Sequence, residues 1–295
     1  MSASAGPTLG ATLGVGGGLG GGLGPRPGRL SRARTVRSVR YYLPAVVVFI
    51  VAIVGWELIF AVLRFESFLL PKPSAIVAAL QANWSGGRFP LLPSAIATFQ
   101  EAILGLSIGT GAGVVVAFVS ARWLTARGIL LPLAVAANAV PIIAFAPLLN
   151  NWFGLLNPLS KALMAAVLVF FPVMANVTRG LVQVEPGALE LMRSYAASDW
   201  TILRKVRIPN ALPYFFTAMK IATTLSLIGA IVGEYFGGAN SVLGRLIVNS
   251  ASALKFDITW AAILFGAATG IAFYLGVVVI ERLAIPWAAA MRADS

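Results

Sequence analysis

Long apolar runs alternate with short polar stretches along this chain. Six runs reach or approach the length needed to cross about 30 Å of hydrocarbon at about 1.5 Å per helical residue. They cover roughly 43–63, 96–119, 129–149, 162–177, 215–236 and 260–280. The third contains Pro132, Pro141 and Pro147, which predict kinks, and kinked membrane helices often line cavities. Pro172 lies in the fourth. Between the first two runs, Pro71 and Pro73 lead into a predicted short helix, Ala75 to Asn83. A second short helix, Leu243 to Ala251, is predicted between the last two runs, on the surface or re-entrant. The pattern is that of an all-α integral membrane protein with six transmembrane helices.

One polar stretch is too charged to span and too patterned to be slack linker. It is Glu185 to Pro213, EPGALELMRSYAASDWTILRKVRIPNALP. Leu189, Met192 and Ala196 share one helical face, with Glu190 and Arg193 off it. Ser198 is placed to cap a second short helix carrying Trp200, Leu203 and Val206. Arg204, Lys205 and Arg207 crowd that helix's C-terminal end, where the helix dipole favours cations. Pro209 and Pro213 are expected to stop it. From the residues alone, two readings stand: a basic amphipathic loop lying on lipid headgroups, or a docking element for a soluble partner.

Composition supports the membrane reading. Hydrophobic residues make up 59% and charged ones 11%, against about 25% charged in soluble domains. The net charge of +12 is unevenly placed. Fifteen Lys and Arg fall in the N-terminal tail, the 120–128 loop, the Glu185–Pro213 region from Thr178 onward, and the C-terminal tail, against six on the other side. The positive side is the cytoplasmic one, so both termini and the charged stretch are expected there. The basic excess needs no nucleic acid, since no basic-aromatic platform is present. The chain has no Cys and no His, which excludes disulfides and a His-based triad and argues against a zinc or other metal site. It also lacks the G-x-x-x-x-G-K-[ST] phosphate loop. Residues 1–40 read as a Gly-rich and basic disordered tail, 41–287 as the membrane domain and 288–295 as a short tail.

Polar and small residues inside the spans are the remaining candidates. Gly105, Gly109 and Gly113 stand four apart in the second span, as do Gly229 and Gly233 in the fifth. Such faces let helix backbones approach closely, either within one subunit or across a dimer seam. Glu101 and Glu234 sit near outer ends, where they line a pathway or reach headgroup water. Glu57 beside Trp56 suits an interfacial position, and Lys220 can snorkel. Asn150 and Asn151 lie at the outer mouth and can hydrogen-bond a solute.

The charged stretch resembles the cytoplasmic loop of ABC importer permeases. That family's pattern is Glu-Ala-Ala, three residues, Gly, nine residues, Ile-x-Leu-Pro. Here Glu190-Leu191-Met192, Ala196 and Val206-Arg207-Ile208-Pro209 keep the spacing, with Ala196 in place of glycine. From about Leu43 to Trp287 the chain is similar to the nitrate, sulfonate and taurine group. The matching pieces include Trp56-Glu57-Leu58, Leu70-Pro71 with Pro73-Ser74, Pro141 through Pro147-Leu148, Trp152-Phe153-Gly154 and Gly233-Glu234-Tyr235-Phe236. The resemblance implies a type I ABC importer permease fold in a bacterial inner membrane, with 185–213 as the coupling loop. Glu190, Arg193, Ala196, Ser198, Val206, Ile208 and Pro209 would transmit force from the ATPase. It further implies two ABC ATPase subunits, an extracytoplasmic solute-binding protein and a second permease subunit forming a homodimer. ATP and magnesium would sit on the ATPase, leaving this chain non-catalytic and without a cofactor. Relatives are associated with sulfonates, nitrate, thiamine-precursor pyrimidines and riboflavin. The competing readings are an ion-coupled carrier with Glu101 or Glu234 in its pathway, and a membrane enzyme. For the enzyme, no catalytic constellation is visible.

Overall fold

The computed structural model describes residues 27–62, 70–138 and 141–287. Among these there are eleven α-helices and no strand. In order they are α1 (Pro27–Val62), α2 (Pro73–Ala82), α3 (Leu91–Arg122), α4 (Leu124–Asn138), α5 (Ala146–Phe153), α6 (Pro158–Val182), α7 (Pro186–Ser194), α8 (Asp199–Ile202), α9 (Ile208–Phe236), α10 (Leu243–Ser252) and α11 (Phe256–Ala284). A 3-10 turn, Ile142–Phe145, precedes α5, and a π turn, Leu203–Arg207, joins α8 to α9. The chain divides into two units, one ending at Gly55 and one beginning at Trp56. The first holds α1 as far as Gly55. That helix starts at Pro27, so Arg29 to Arg40, expected in the tail, are helical. Proline suits a first helical position because its missing N–H is an orphan there anyway. Residues 1–26 and 288–295, the rest of the expected tails, lie outside the described residues. The packing described below is that of the second unit.

Five helical segments among the described residues are long and apolar enough to cross a membrane: Leu43–Val62, Leu91–Arg122, Pro158–Val182, Asp199–Phe236 and Phe256–Ala284. The stretch expected as the third span is instead divided between α4, the 3-10 turn and α5. Its prolines account for the division. Each lacks an N–H and biases the residue before it away from helix. Pro132 is accommodated inside α4, whereas Pro141 precedes the 3-10 turn and Pro147 occupies the first turn of α5.

A second difference lies at the charged stretch. Pro209 and Pro213 do not stop the helix. Pro209 falls in the first turn of α9, and Pro213 lies inside it. The ladder runs on through the π turn, where the Ile208 N–H reaches the Leu203 carbonyl five residues back, and this wider register makes room for the Pro209 ring.

The predicted short helices form as α2 and α10. Glu57 has a structural task that its position beside Trp56 did not reveal. Its carboxylate accepts the Ser74 backbone N–H at 3.1 Å and the Ser74 hydroxyl at 2.7 Å, satisfying an orphan donor at the start of α2. Trp56 also meets Trp260 of α11 edge to face, with centroids 6.3 Å apart.

The centre of the unit is α6, packed between α3 and α9. A Cβ placed on Gly105 would lie 2.5 Å from the Ala162 carbonyl oxygen and from the Ala165 Cβ. On Gly109 it would lie 2.5 Å from the Ala166 carbonyl oxygen, and on Gly113 2.9 Å from that of Phe170. Across α6, a Cβ on Gly229 would lie 2.6 Å from the Ala165 Cα, and Gly233 abuts Lys161. Both glycine faces therefore close on one helix of the same chain, whose facing residues Ala162, Ala165 and Ala166 are themselves small. Because side chains are missing on both surfaces, backbone meets backbone and dispersion contacts are dense.

Gly109→Ala is expected to destabilise the bundle by about 1–3 kcal/mol, because the obstacle is a main-chain carbonyl that cannot rotate aside. Gly111, two residues on, has nothing within 4 Å of its would-be Cβ. Gly111→Ala should be neutral or stabilise by up to about 1 kcal/mol. Thermal unfolding of the two variants in one detergent checks the contrast.

Candidate functional site

Two places concentrate polar chemistry, one at each end of the α3–α6–α9 core. At the end where α3 and α6 begin, Glu101, Lys161 and Glu234 converge from three helices. Lys161 is 1% exposed and Glu234 fully buried. The Glu234 carboxylate accepts the Gly244 backbone N–H at 2.6 Å. Thr98 stands beside that carboxylate and accepts the Leu243 N–H at 2.9 Å. Together they satisfy two orphan donors at the start of α10, tying it to α3 and α9. The Glu101 and Glu234 carboxyls and the Lys161 ammonium are near enough to act on one another electrostatically, and Glu101 Oε2 and Glu234 Oε1 are buried without a hydrogen-bond partner among the described residues. Lys161 also donates to the carbonyls of Leu155 and Asn157. Gly233 is what lets α9 pass this close to the lysine stem, and a Cβ on Gly244 would collide with Glu234.

Beside this cluster lies a cavity of about 460 Å³, lined by Pro147, Asn150, Asn151, Gly154, Leu155 and Phe236. The division of the third span builds one wall of it, since α5 presents both asparagines. Asn150 is buried and accepts the Ser160 hydroxyl at 2.9 Å, but its Nδ2 has no partner among the described residues. Asn151 is exposed. The structure thus brings Glu101 and Glu234 together inside the protomer and places Asn150 and Asn151 on the cavity wall.

At the opposite end, α7 and α8 form the bend expected from the sequence. α7 ends in a Schellman motif: the Ala197 N–H reaches the Met192 carbonyl at 3.0 Å and the Ala196 N–H reaches that of Arg193 at 2.9 Å. Ala196 takes φ 52°, the left-handed conformation that glycine adopts at least cost. Ser198 then caps α8, its hydroxyl accepting the Thr201 N–H at 3.3 Å. Asn210 clasps the base of the segment. Its Nδ2 donates to the Gly180 carbonyl at 2.7 Å and the Gln183 carbonyl at 2.9 Å, satisfying the orphan acceptors where α6 ends. Glu190, Leu191, Arg193, Tyr195 and Trp200 are exposed, while Val206, Ile208 and Pro209 are half-buried at the junction with α9. An exposed surface mixing Leu191, Tyr195 and Trp200 with charge is suited to a protein partner.

Comparison with known proteins fits this layout. Residues 109–286 match the family model described as the binding-protein-dependent transport system inner membrane component. The chain belongs to that family of ABC importer permeases. It is 29% identical over 244 residues to a probable ABC transporter permease protein of Haemophilus influenzae, covering 81% of this chain and 95% of the relative. A riboflavin transport system permease protein of Chloroflexus aurantiacus is 28% identical over 86% of this chain and 95% of its own length. A formylaminopyrimidine transport permease protein of Halalkalibacterium halodurans is 29% identical over 81% and 93%. The protein is a multi-pass membrane permease, and its relatives are transport subunits.

Three contacts of this permease could not be anticipated from sequence: the Glu234–Gly244 tie, the Asn210 clasp and an ion pair between Lys220 and Glu281 at 2.7 Å. Lys220, expected to snorkel, is held by α11 instead. Each partner lies on another helix, so no local spacing announces it.

Glu234→Ala removes the acceptor of the Gly244 N–H and one of the two carboxyls facing Lys161. A loss of roughly 3–5 kcal/mol is expected, with earlier proteolysis between α9 and α10 as the second readout. Ala196→Gly in the permease should relieve about 1 kcal/mol of left-handed strain, partly offset by chain entropy. It should raise the unfolding temperature, whereas Ala196→Val lowers it.

Proposed function

We propose that this permease is the translocating subunit of an ATP-driven importer, powered through the α7–α8 segment. The observation that carries the reading is the segment's build. It is short, exposed and basic, yet fixed at three points: the Schellman turn at Ala196, the Ser198 cap and the Asn210 clasp. A loop resting on headgroups needs no such rigidity, whereas a segment that transmits displacement does. Its two ends lead directly into α6 and α9, which form the core. In this reading Glu190, Arg193, Ala196, Ser198, Val206, Ile208 and Pro209 meet or orient the ATPase, and the segment end with both termini is cytoplasmic.

Two ATPases, two copies of this chain as a homodimer and an extracytoplasmic solute-binding protein complete the assembly, in a bacterial inner membrane. The chain itself binds no cofactor in this scheme; ATP and magnesium sit on the ATPases. Nucleotide then biases a two-state rocking of the permease pair. The solute is a small organic molecule delivered to the end bearing Asn150 and Asn151. The unpartnered Asn150 Nδ2 and the roughly 460 Å³ cavity favour a neutral heterocycle with carbonyl acceptors. Riboflavin, formylaminopyrimidine and aliphatic sulfonate permeases are about equally similar to this chain, so the choice rests on the cavity alone.

The buried Glu101–Lys161–Glu234 cluster gives one reason to keep an ion-coupled carrier as the second reading, since intramembrane ionisable groups mark proton relays elsewhere. Solute uptake in cells expressing the chain with and without its ATPase separates the two. Glu190→Arg should reduce uptake at least tenfold and abolish ATPase co-purification while leaving the permease folded. Uptake of riboflavin or a pyrimidine should exceed that of a taurine-like sulfonate. Full uptake without an ATPase would sink the importer reading.

A further inference from the structure

Between the last turn of α3 and the α7–α8 segment lies a cavity of about 370 Å³, to which the coupling scheme assigns no ligand although it shares Arg193. Part of its wall is apolar, with Phe118 one turn inside the end of α3 and Leu203 from the π turn, both packed against the core. Three guanidinium-bearing residues line it: Arg122 from α3, Arg193 from α7 and Arg207 from the π turn. Asp199 is the one acid on its wall. Among the described residues the sole salt bridge is Lys220–Glu281, so none of these arginines is neutralised by a carboxylate. Three arginines against one acid on a single cavity wall give it a positive potential that favours an anion. Arginine is also the side chain whose planar fork best fits phosphate oxygens.

The position of the cavity narrows the ligand. Arg122 ends α3, a helix long and apolar enough to cross a membrane, on the side where basic residues concentrate. Arginines beside apolar side chains at such a helix end are the chemistry that retains an anionic lipid headgroup. We infer that this cavity binds the phosphate of an anionic phospholipid, seated between α3 and the α7–α8 segment. Its bound headgroup joins the end of the α3–α6–α9 core to the segment that precedes α9. Seating the lipid requires α3 to span the membrane. It does not require ATPase coupling, so the two ideas fail separately.

The test uses the full-length permease in a zwitterionic detergent, without ATPase. Phosphatidylglycerol, phosphatidylcholine and inorganic phosphate are titrated in turn, with thermal stability and lipid adducts in native mass spectrometry as readouts. Phosphatidylglycerol should raise the unfolding temperature by several degrees and leave one adduct per chain, and added salt should weaken both effects. Phosphatidylcholine should do neither. The triple variant Arg122→Gln, Arg193→Gln, Arg207→Gln should lose at least ten-fold in lipid affinity, while Arg127→Gln, outside the cavity, keeps it. Asp199→Asn removes the opposing charge and should tighten binding several-fold, which keeps the idea testable should the triple variant not fold. Undiminished adducts in the triple variant together with no gain in Asp199→Asn overturn the site. Equal stabilisation by inorganic phosphate at the same concentration overturns the lipid as its occupant. Failure of Glu190→Arg to disturb uptake would leave the lipid result standing.

Discussion

The contact on which this structure depends is backbone against backbone along α6. Lipid tails are as apolar as leucine, so hydrophobic burial does little to hold membrane helices together once they are inserted. What remains is close packing, and close packing needs surfaces without side chains. Gly105, Gly109 and Gly113 supply one, Gly229 and Gly233 another, and Ala162, Ala165 and Ala166 receive both. The same approach explains how charged groups can be interior at all. Only because Gly233 lets α9 touch the lysine stem can Lys161, Glu101 and Glu234 sit within reach of one another. Unpaired, any one of them would be costly at that depth.

The two ends of the core solve the orphan-group problem differently. At the cluster end, backbone donors at the start of α10 are satisfied by side chains from α3 and α9, so the cap is long-range. At the segment end, most of the satisfaction is local: a Schellman turn, a serine cap and a single clasp by Asn210. The consequence is mechanical. α10 is tied to α3 and α9 through its capped start and to α11 through the Ser250–Thr259 hydroxyl pair, whereas α7 and α8 are a self-contained bend attached at its base. A device of that kind can be carried as a unit and still pass its displacement to the helices on either side.

Local chemistry was readable from the sequence, and tertiary chemistry was not. The apolar runs, α2, α10 and the Ser198 cap rest on periodicity and on one residue's preference, which a linear pattern contains. The break in the third span was visible as three prolines, but whether they kink a helix or divide it depends on what packs alongside. Pro209 misleads for a related reason. Proline ends a helix when its ring collides with the carbonyl four residues back, and before Pro209 the π turn has shifted the ladder to the fifth residue. Glu57, Asn210, Lys220 and Glu234 have partners 17, 27, 61 and 10 residues away respectively. No spacing rule reaches such pairs. Of the candidate site residues, those from Glu190 to Pro209 could be grouped beforehand because they keep the family pattern's spacing. Glu101 and Glu234 could be suspected singly, but their meeting, with Lys161 between helices, belongs to the fold.

A core locked by glycine faces leaves few places for the molecule to deform. α3, α6 and α9 cannot slide past one another without driving a Cα or carbonyl into the facing helix, so they respond to a push as one body. Deformation is left to segments whose helices are already interrupted. One is the π turn between α8 and α9, where the hydrogen-bond ladder is loosened. The other is the run from α4 through the 3-10 turn to α5, where three prolines have removed the donors that would stiffen it. The second of these forms the wall of the cavity carrying Asn150 and Asn151. In the proposed importer, a displacement entering at α7–α8 would therefore leave the glycine-packed core unstrained and be expressed where the third span is broken, at the wall that carries Asn150 and Asn151.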